Sequence, residues 1–183
     1  IIGGPPCQAY SIAGRAQDAH SMKLDYRNYL FESFVKIVSA AQPKMFIFEN
    51  VPGMLSAKPG GRLVIHRIFD AFNQIGYETL QPNKLKTAKL NAARFGVPQK
   101  RERVFIIGVK KNSGLSLDAI YQEIKSSESD GEEKTLRSVI GKLPRFKPII
   151  ENNKTKYVQI DNGRIKGHFP RYQNPRDVSI FKN

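Results

Sequence analysis

KMFIFENVPG, residues 44–53, decides how this chain is read. Lys44 to Phe48 is a short apolar run of strand length, and it ends at Glu49 and Asn50 before Val51-Pro52-Gly53 turns the chain away. Helical patterns flank it. Upstream, Leu30, Phe31, Phe34, Val35, Val38 and Ala41 recur at three- and four-residue spacing, which predicts a helix over Tyr29–Ala41. Downstream, Val64, Ile65, Ile68, Phe69, Phe72 and Ile75 form one face of a helix over Arg62–Ile75, with Gly76 as its stop.

Working outward, Ile1 and Ile2 run into GGPP, the end of a buried strand entering a loop, because proline cannot donate to a sheet ladder. Residues 8–28 are polar or small, and so long a loop within a compact domain is usually functional or mobile. A weaker strand is expected over Tyr77–Leu85, a loop or short helix through Phe95, and a strong strand over Val104–Val109, VFIIGV. Strand, helix, strand, helix, strand implies an α/β domain with a largely parallel, helix-covered sheet. Beyond it come a helix over Leu117–Lys125, an acidic linker SSESDGEE and a short helix in TLRSVIGKLP. After Arg145 the sequence reads as basic and irregular, with one strand candidate, YVQI. The composition places a domain boundary near residue 110, between a core over 1–109 and a linker with a further region over 110–183.

At 183 residues the chain fits one domain or one domain and part of another, and 40% apolar content is enough for a core. Ile1 stands inside an apolar run, so a piece of something longer is expected. The net charge is +14: residues 1–109 carry +8, residues 110–133 carry −3 and residues 134–183 carry +9. Such an excess favours polyanionic partners, although a basic tail is equally a solvated surface. No run approaches the ~20 apolar residues of a membrane span, and no secretion signal is present, so no membrane is expected as partner. The expected location is the cytoplasm, beside the nucleoid in a bacterium, or the nucleus in a eukaryote. The single cysteine, Cys7, excludes an internal disulfide and a cysteine-rich zinc site.

In open α/β sheets active sites gather at the carboxyl ends of strands. Three polar clusters fall there or beside a strand: PPCQ after the first, EN after KMFIF, and QKRER before VFIIGV. Free cysteines are mostly buried and inert, but a thiol held in a Gly/Pro turn at a strand end sits where amides can favour the thiolate. A carboxylate directly behind four apolar residues, Glu49, is expected in a partly dry site, where desolvation raises its pKa. Its plainer explanation is a strand-terminating turn. Arg101 and Arg103 alternate at strand spacing and project to one face. They suit either a solvated edge or the fixed-geometry binding of a carbonyl or phosphate oxygen.

Taken together, GGPPCQAYS, FENV and QKRERVFIIG, in this order and separation, resemble the cytosine-5 DNA methyltransferase family over about residues 1–109, and GHFPRYQNPRD looks like segments of some bacterial members. The resemblance implies part of a Rossmann-like, S-adenosylmethionine-dependent methyltransferase sheet with helices on both faces, followed by a mostly irregular basic target-recognition region. It makes Cys7 the nucleophile that adds to C6 of cytosine, so that C5 can take a methyl group from S-adenosylmethionine. Glu49 matches the carboxyl group at N3 and the exocyclic amine, Arg103 the arginine at O2, and Arg101 and Gln99 neighbours that brace the site. The Pro5 carbonyl would accept from the cytosine amine, Asn50 would hold the turn, and Gln8 joins the catalytic set beside Cys7. Ser11, Arg15 and Lys23, in a loop corresponding to the family's mobile catalytic loop, are candidates for phosphate contact. Pro6 and Leu30 match positions at the cofactor.

The implied partner is double-stranded DNA whose target base is flipped out, with a cognate restriction endonuclease system as a further candidate, and a monomer is expected. The family's upstream glycine-rich and acidic cofactor segments have no counterpart here, nor do its C-terminal segments. The chain is therefore expected to be a catalytic core fragment, inactive alone. Three other readings compete: a cysteine hydrolase using His20, His66 or His168 as base, a non-catalytic nucleic-acid-binding module, and a tRNA methyltransferase of the same family. His66 falls on the expected second helix, where a half-exposed histidine is the plainer reading, and the module reading leaves the Cys, Glu and Arg set unexplained.

Overall fold

The computed structural model describes residues 1–6, 30–58, 61–161, 163 and 174–180. They fall into two units, Ile1–Glu133 and Lys134–Asn183. Residue 110 lies inside the first.

The first unit is organised by its longest strand. In chain order it contains β1 (Ile2–Gly3), α1 (Leu30–Ala41), β2 (Met45–Asn50), α2 (Val64–Gln74), β3 (Tyr77–Thr79), β4 (Lys89–Asn91), β5 (Glu102–Lys110) and α3 (Leu117–Ser126), with 3-10 turns at Pro52–Ser56, Pro82–Ala88 and Ala92–Phe95. β5 is central. It pairs with β2 along Asn50↔Val104 to Met45↔Val109, and on its other edge with β3 at one end and β4 at the other. Among the described residues only β1 and β2 run parallel, Ile2 opposite Ile47 and Gly3 opposite Phe48; the three pairings of β5 are antiparallel.

The sheet is thus mixed, not largely parallel. The link from β4 into β5, with no crossover α-helix, makes these two strands antiparallel neighbours, whereas parallel neighbours need a longer connection. The strand expected over Tyr77–Leu85 stops at Thr79, because Pro82 opens a 3-10 turn that buries Leu85 and Ala88.

Strand alternation divides the core into two faces. Phe46 and Phe48 on β2, with Val104 and Ile106 on β5, meet α1 through Phe34 and Val38 and α2 through Ile68 and Phe72. Aromatic rings fill this layer: Phe46 lies 4.2 Å from Phe72 and Phe34 lies 5.3 Å, edge-on, from Phe48. Gly108 stands opposite Phe46, and any Cβ there would collide with that ring. On the other face Met45, Ile47, Ile107 and Val109 pack against Leu117, Ile120 and Ile124 of α3. Helices therefore cover both faces, as the resemblance implies.

The gap between β3 and β4 along β5 is closed by a side chain. β3 pairs with Gly108–Lys110 and β4 with Glu102–Val104, which leaves Phe105–Ile107 without a neighbour on that edge. The Tyr121 hydroxyl of α3 accepts from the Ile107 amide at 3.0 Å and donates to the Phe105 carbonyl at 2.8 Å. Burial pushes the Tyr121 phenol up to about 12, with the Ile107 amide opposing it.

The second unit contains α4 (Leu136–Ile140), β6 (Phe146–Glu151), β7 (Lys154–Gln159) and α5 (Pro175–Ile180). β6 and β7 form an antiparallel hairpin whose two-residue turn is Asn152-Asn153, both at positive φ of 50° and 55°. Primed turns of this kind suit the twist of hairpin strands, and asparagine tolerates them. Where the sequence shows the single strand YVQI, the structure pairs its first three residues within β7 against β6. Asp161 closes the base of the hairpin by accepting from the Arg145 amide at 3.0 Å, a bond that lowers its carboxyl pKa.

Candidate active site

β1 and β2 end side by side, so the loop leaving β1 is brought onto the carboxylate that ends β2. A Cβ on Gly4 would stand 2.9 Å from Glu49 Oε2 and 3.6 Å from the Glu49 carbonyl oxygen, an approach only glycine allows without displacement. Antiparallel pairing then delivers the arginines. Glu49 is registered with Phe105, and Arg103, two residues earlier on β5, shares its face.

Arg103 Nε lies 2.8 Å from Glu49 Oε1, and an Arg101 guanidinium nitrogen lies 3.8 Å from the same oxygen. The Arg103 side chain is 21% exposed and also donates to the Glu102 carbonyl at 2.7 Å, while that of Arg101 is 49% exposed. The inner arginine is fixed at two points; the outer one stands near the carboxylate in solvent. Glu49 itself is 30% exposed.

These three charges line one side of an open pocket of about 330 Å³ whose other walls include Leu90, Phe95, Val97 and Phe105. A mostly apolar cavity with a few convergent polar groups is the usual form of a small-molecule site. Sequence reasoning missed the four apolar residues. Leu90 stands opposite Arg103 on β4, and Phe105 opposite Glu49 on β5; only pairing register reveals them as neighbours of the charges.

Asn50 is buried and its Oδ1 accepts from the Val51 amide at 2.9 Å, at the point where β2 gives way to the 3-10 turn begun by Pro52. Gln99 is exposed, and its amide donates to the Val97 carbonyl at 2.7 Å. Pro5 is half-buried, Pro6 exposed, and Leu30 half-buried at the first position of α1. Cys7, Gln8, Ser11, Arg15 and Lys23 lie outside the described residues, as do His20 and His168. His66 is exposed on α2, which packs on the sheet face opposite Glu49. No helix among the described residues is long and apolar enough to cross a membrane.

Comparison with known proteins bears on this geometry. The family profile described as C-5 cytosine-specific DNA methylase matches residues 1–173. The chain is 37% identical over 201 aligned residues to the Type II methyltransferase M.Bpa9945I of Bacillus paralicheniformis, covering 100% of this chain and 44% of that one. It is 39% identical to the Type II methyltransferase M.DdeI of Desulfomicrobium norvegicum, covering 79% and 32%. Among solved structures, a protein assigned as a DNA modification methyltransferase encoded within an Escherichia coli prophage superposes with a TM-score of 0.56 at 26% identity, over 99% of this chain and 48% of that one. The chain thus spans less than half the length of these relatives.

Proposed function

The chain belongs to the C-5 cytosine-specific DNA methylase family, and from that membership we propose that the protein transfers a methyl group to C5 of cytosine in duplex DNA, with Cys7 as its nucleophile. The observation that carries the reading is the Glu49–Arg103 pair, 2.8 Å apart, lining a pocket with mostly apolar walls beside the strand end that precedes Cys7 in sequence.

In this mechanism the Cys7 thiolate forms a bond to C6 as the C5=C6 π pair moves into the ring toward N3, where the Glu49 carboxyl group stabilises it by hydrogen bonding. Arg103 donates to O2 and holds the ring edge-on, and the Pro5 carbonyl accepts from the exocyclic amine. C5, now enamine-like, bonds to the incoming methyl group. Loss of the C5 proton to a base, with water as the candidate, returns the electron pair to C5=C6 and expels the Cys7 thiolate. The family draws its methyl group from S-adenosylmethionine, which supplies an electrophilic methyl on a sulfonium. Of the residues expected at that donor, Pro6 and Leu30 are described and offer apolar contact alone, so the described residues do not by themselves compose its site.

Within this reading Gln8 joins the catalytic set, Arg101, Gln99 and Asn50 brace the site, and Ser11 and Arg15 are candidates for contact with the DNA backbone. The second unit, with its excess of positive charge, begins the target-recognition region. The Type II names of the relatives support a role in a restriction-modification system, with a cognate endonuclease as partner and the bacterial cytoplasm as location.

The test is to incubate the full-length protein with S-adenosylmethionine and duplex DNA in which cytosine is replaced by 5-fluorocytosine. Fluorine cannot leave as a cation, so a methylated, denaturation-resistant adduct that maps to Cys7 is expected, and Cys7→Ser abolishes it. Tight binding without an adduct points to a non-catalytic module; an adduct on tRNA alone reassigns the substrate.

A further inference from the structure

Beside the Glu49 pocket lies a second and larger cavity that the proposed chemistry does not use. It encloses about 490 Å³ between the 3-10 turn over Pro82–Ala88, β4 and α3. Leu90 lines both cavities, and Leu90 is the register partner of Arg103. The turn buries Leu85 and Ala88 and so turns Lys84, Lys86 and then Lys89 outward, while the last turn of α3 adds Lys125.

The charges at this rim are unevenly compensated. Lys89 is paired with Glu102 at 2.9 Å, and Glu128 is engaged by Arg94 at 3.8 Å. Lys84, Lys86 and Lys125 form no ion pair among the described residues, and Asp118 is the other carboxylate on the rim. Three exposed ammonium groups around one concavity repel one another unless an anion joins them. Lysine binds phosphate as a mobile point charge without demanding fixed geometry, which suits a backbone more than a base edge.

We propose that this lysine-rimmed trough, formed by Lys84, Lys86 and Lys125, holds the sugar-phosphate backbone of the DNA strand next to the nucleotide whose base occupies the Glu49 pocket. The arginine pair, Leu90 and the lysines then form one continuous track, base edge at one end and phosphates at the other. The inference rests on the proposed function, since it takes DNA as the ligand.

Its test is a salt titration of duplex-oligonucleotide affinity for the full-length protein, the Lys84→Ala/Lys86→Ala/Lys125→Ala variant, the matching Lys→Arg variant, and a control carrying Lys36→Ala/Lys44→Ala/Lys111→Ala. Each phosphate contact contributes about 0.9 to the slope of log affinity against log salt. The alanine variant is expected to lose roughly 2–3 from that slope and on the order of 10–100-fold in affinity near 0.1 M salt, the arginine variant to keep both, and the control to change the slope by less than about 1. An unchanged slope in the alanine variant, or an equal loss in the control, overturns the trough while leaving the methyltransferase reading intact. Failure of the parent protein to bind duplex DNA at all overturns both.

Discussion

Glu49 illustrates how far single residues were readable in advance. Its place behind KMFIF marks it as a strand-end carboxylate, and the alternation of Arg101 and Arg103 marks a shared face; the structure brings all three together within 3.8 Å. What one-dimensional reading lacks is the apolar half of the pocket. Phe105 and Leu90 carry no chemical label, and their role follows from pairing register alone. Four apolar residues before Glu49 say which strand it belongs to, not what covers its side chain. Glu49→Gln keeps the shape and removes the acid, so methyl transfer by the full-length protein should fall about 10²–10⁴-fold while DNA affinity stays within a few-fold. Single-turnover kinetics alongside equilibrium binding read the two separately, and equal losses in both would assign Glu49 a structural role.

Helices are the elements the sequence shows best. α1, α2 and α3 fall within two residues of their periodic patterns, because burying one face every three or four residues leaves an unmistakable spacing. Strand direction leaves no such trace: VFIIGV looks the same whether it runs with or against KMFIF. The β6–β7 hairpin was half seen for another reason, as its turn signal is Asn152-Asn153 and not the commoner Asn-Gly. Nor does any pattern announce that Tyr121 substitutes for a missing strand. Tyr121→Phe strips partners from one amide and one carbonyl of β5, and should lower stability by about 1–3 kcal/mol in chemical denaturation. The same hydroxyl predicts a pH effect. Because its folded pKa of about 12 lies above the ordinary 10.0, the folded state holds the proton more tightly, so stability is intact below pH 10 and declines between pH 10 and 12. The decline should be shallower in Tyr121→Phe, where the Tyr77 phenol, also raised by burial, still contributes.

Charge is the property of the whole molecule that speaks most directly to function. The +8 of residues 1–109 and +9 of residues 134–183 flank an acidic stretch of −3 at 110–133, so the cationic surface is concentrated in two segments. Binding to duplex DNA should therefore weaken steeply with salt. A slope of log affinity against log salt shallower than about 3 in fluorescence-anisotropy titrations would mean that the excess charge is mostly solvated surface.

The Tyr121 hydroxyl also divides β5 into amides that answer to different events. Amides held by β2, β3 or β4 exchange with solvent when the sheet opens, whereas the Ile107 amide is released whenever α3 lifts. That one amide is a built-in reporter of helix docking, on the strand that bears Arg103 and bonded to the helix that bears Lys125.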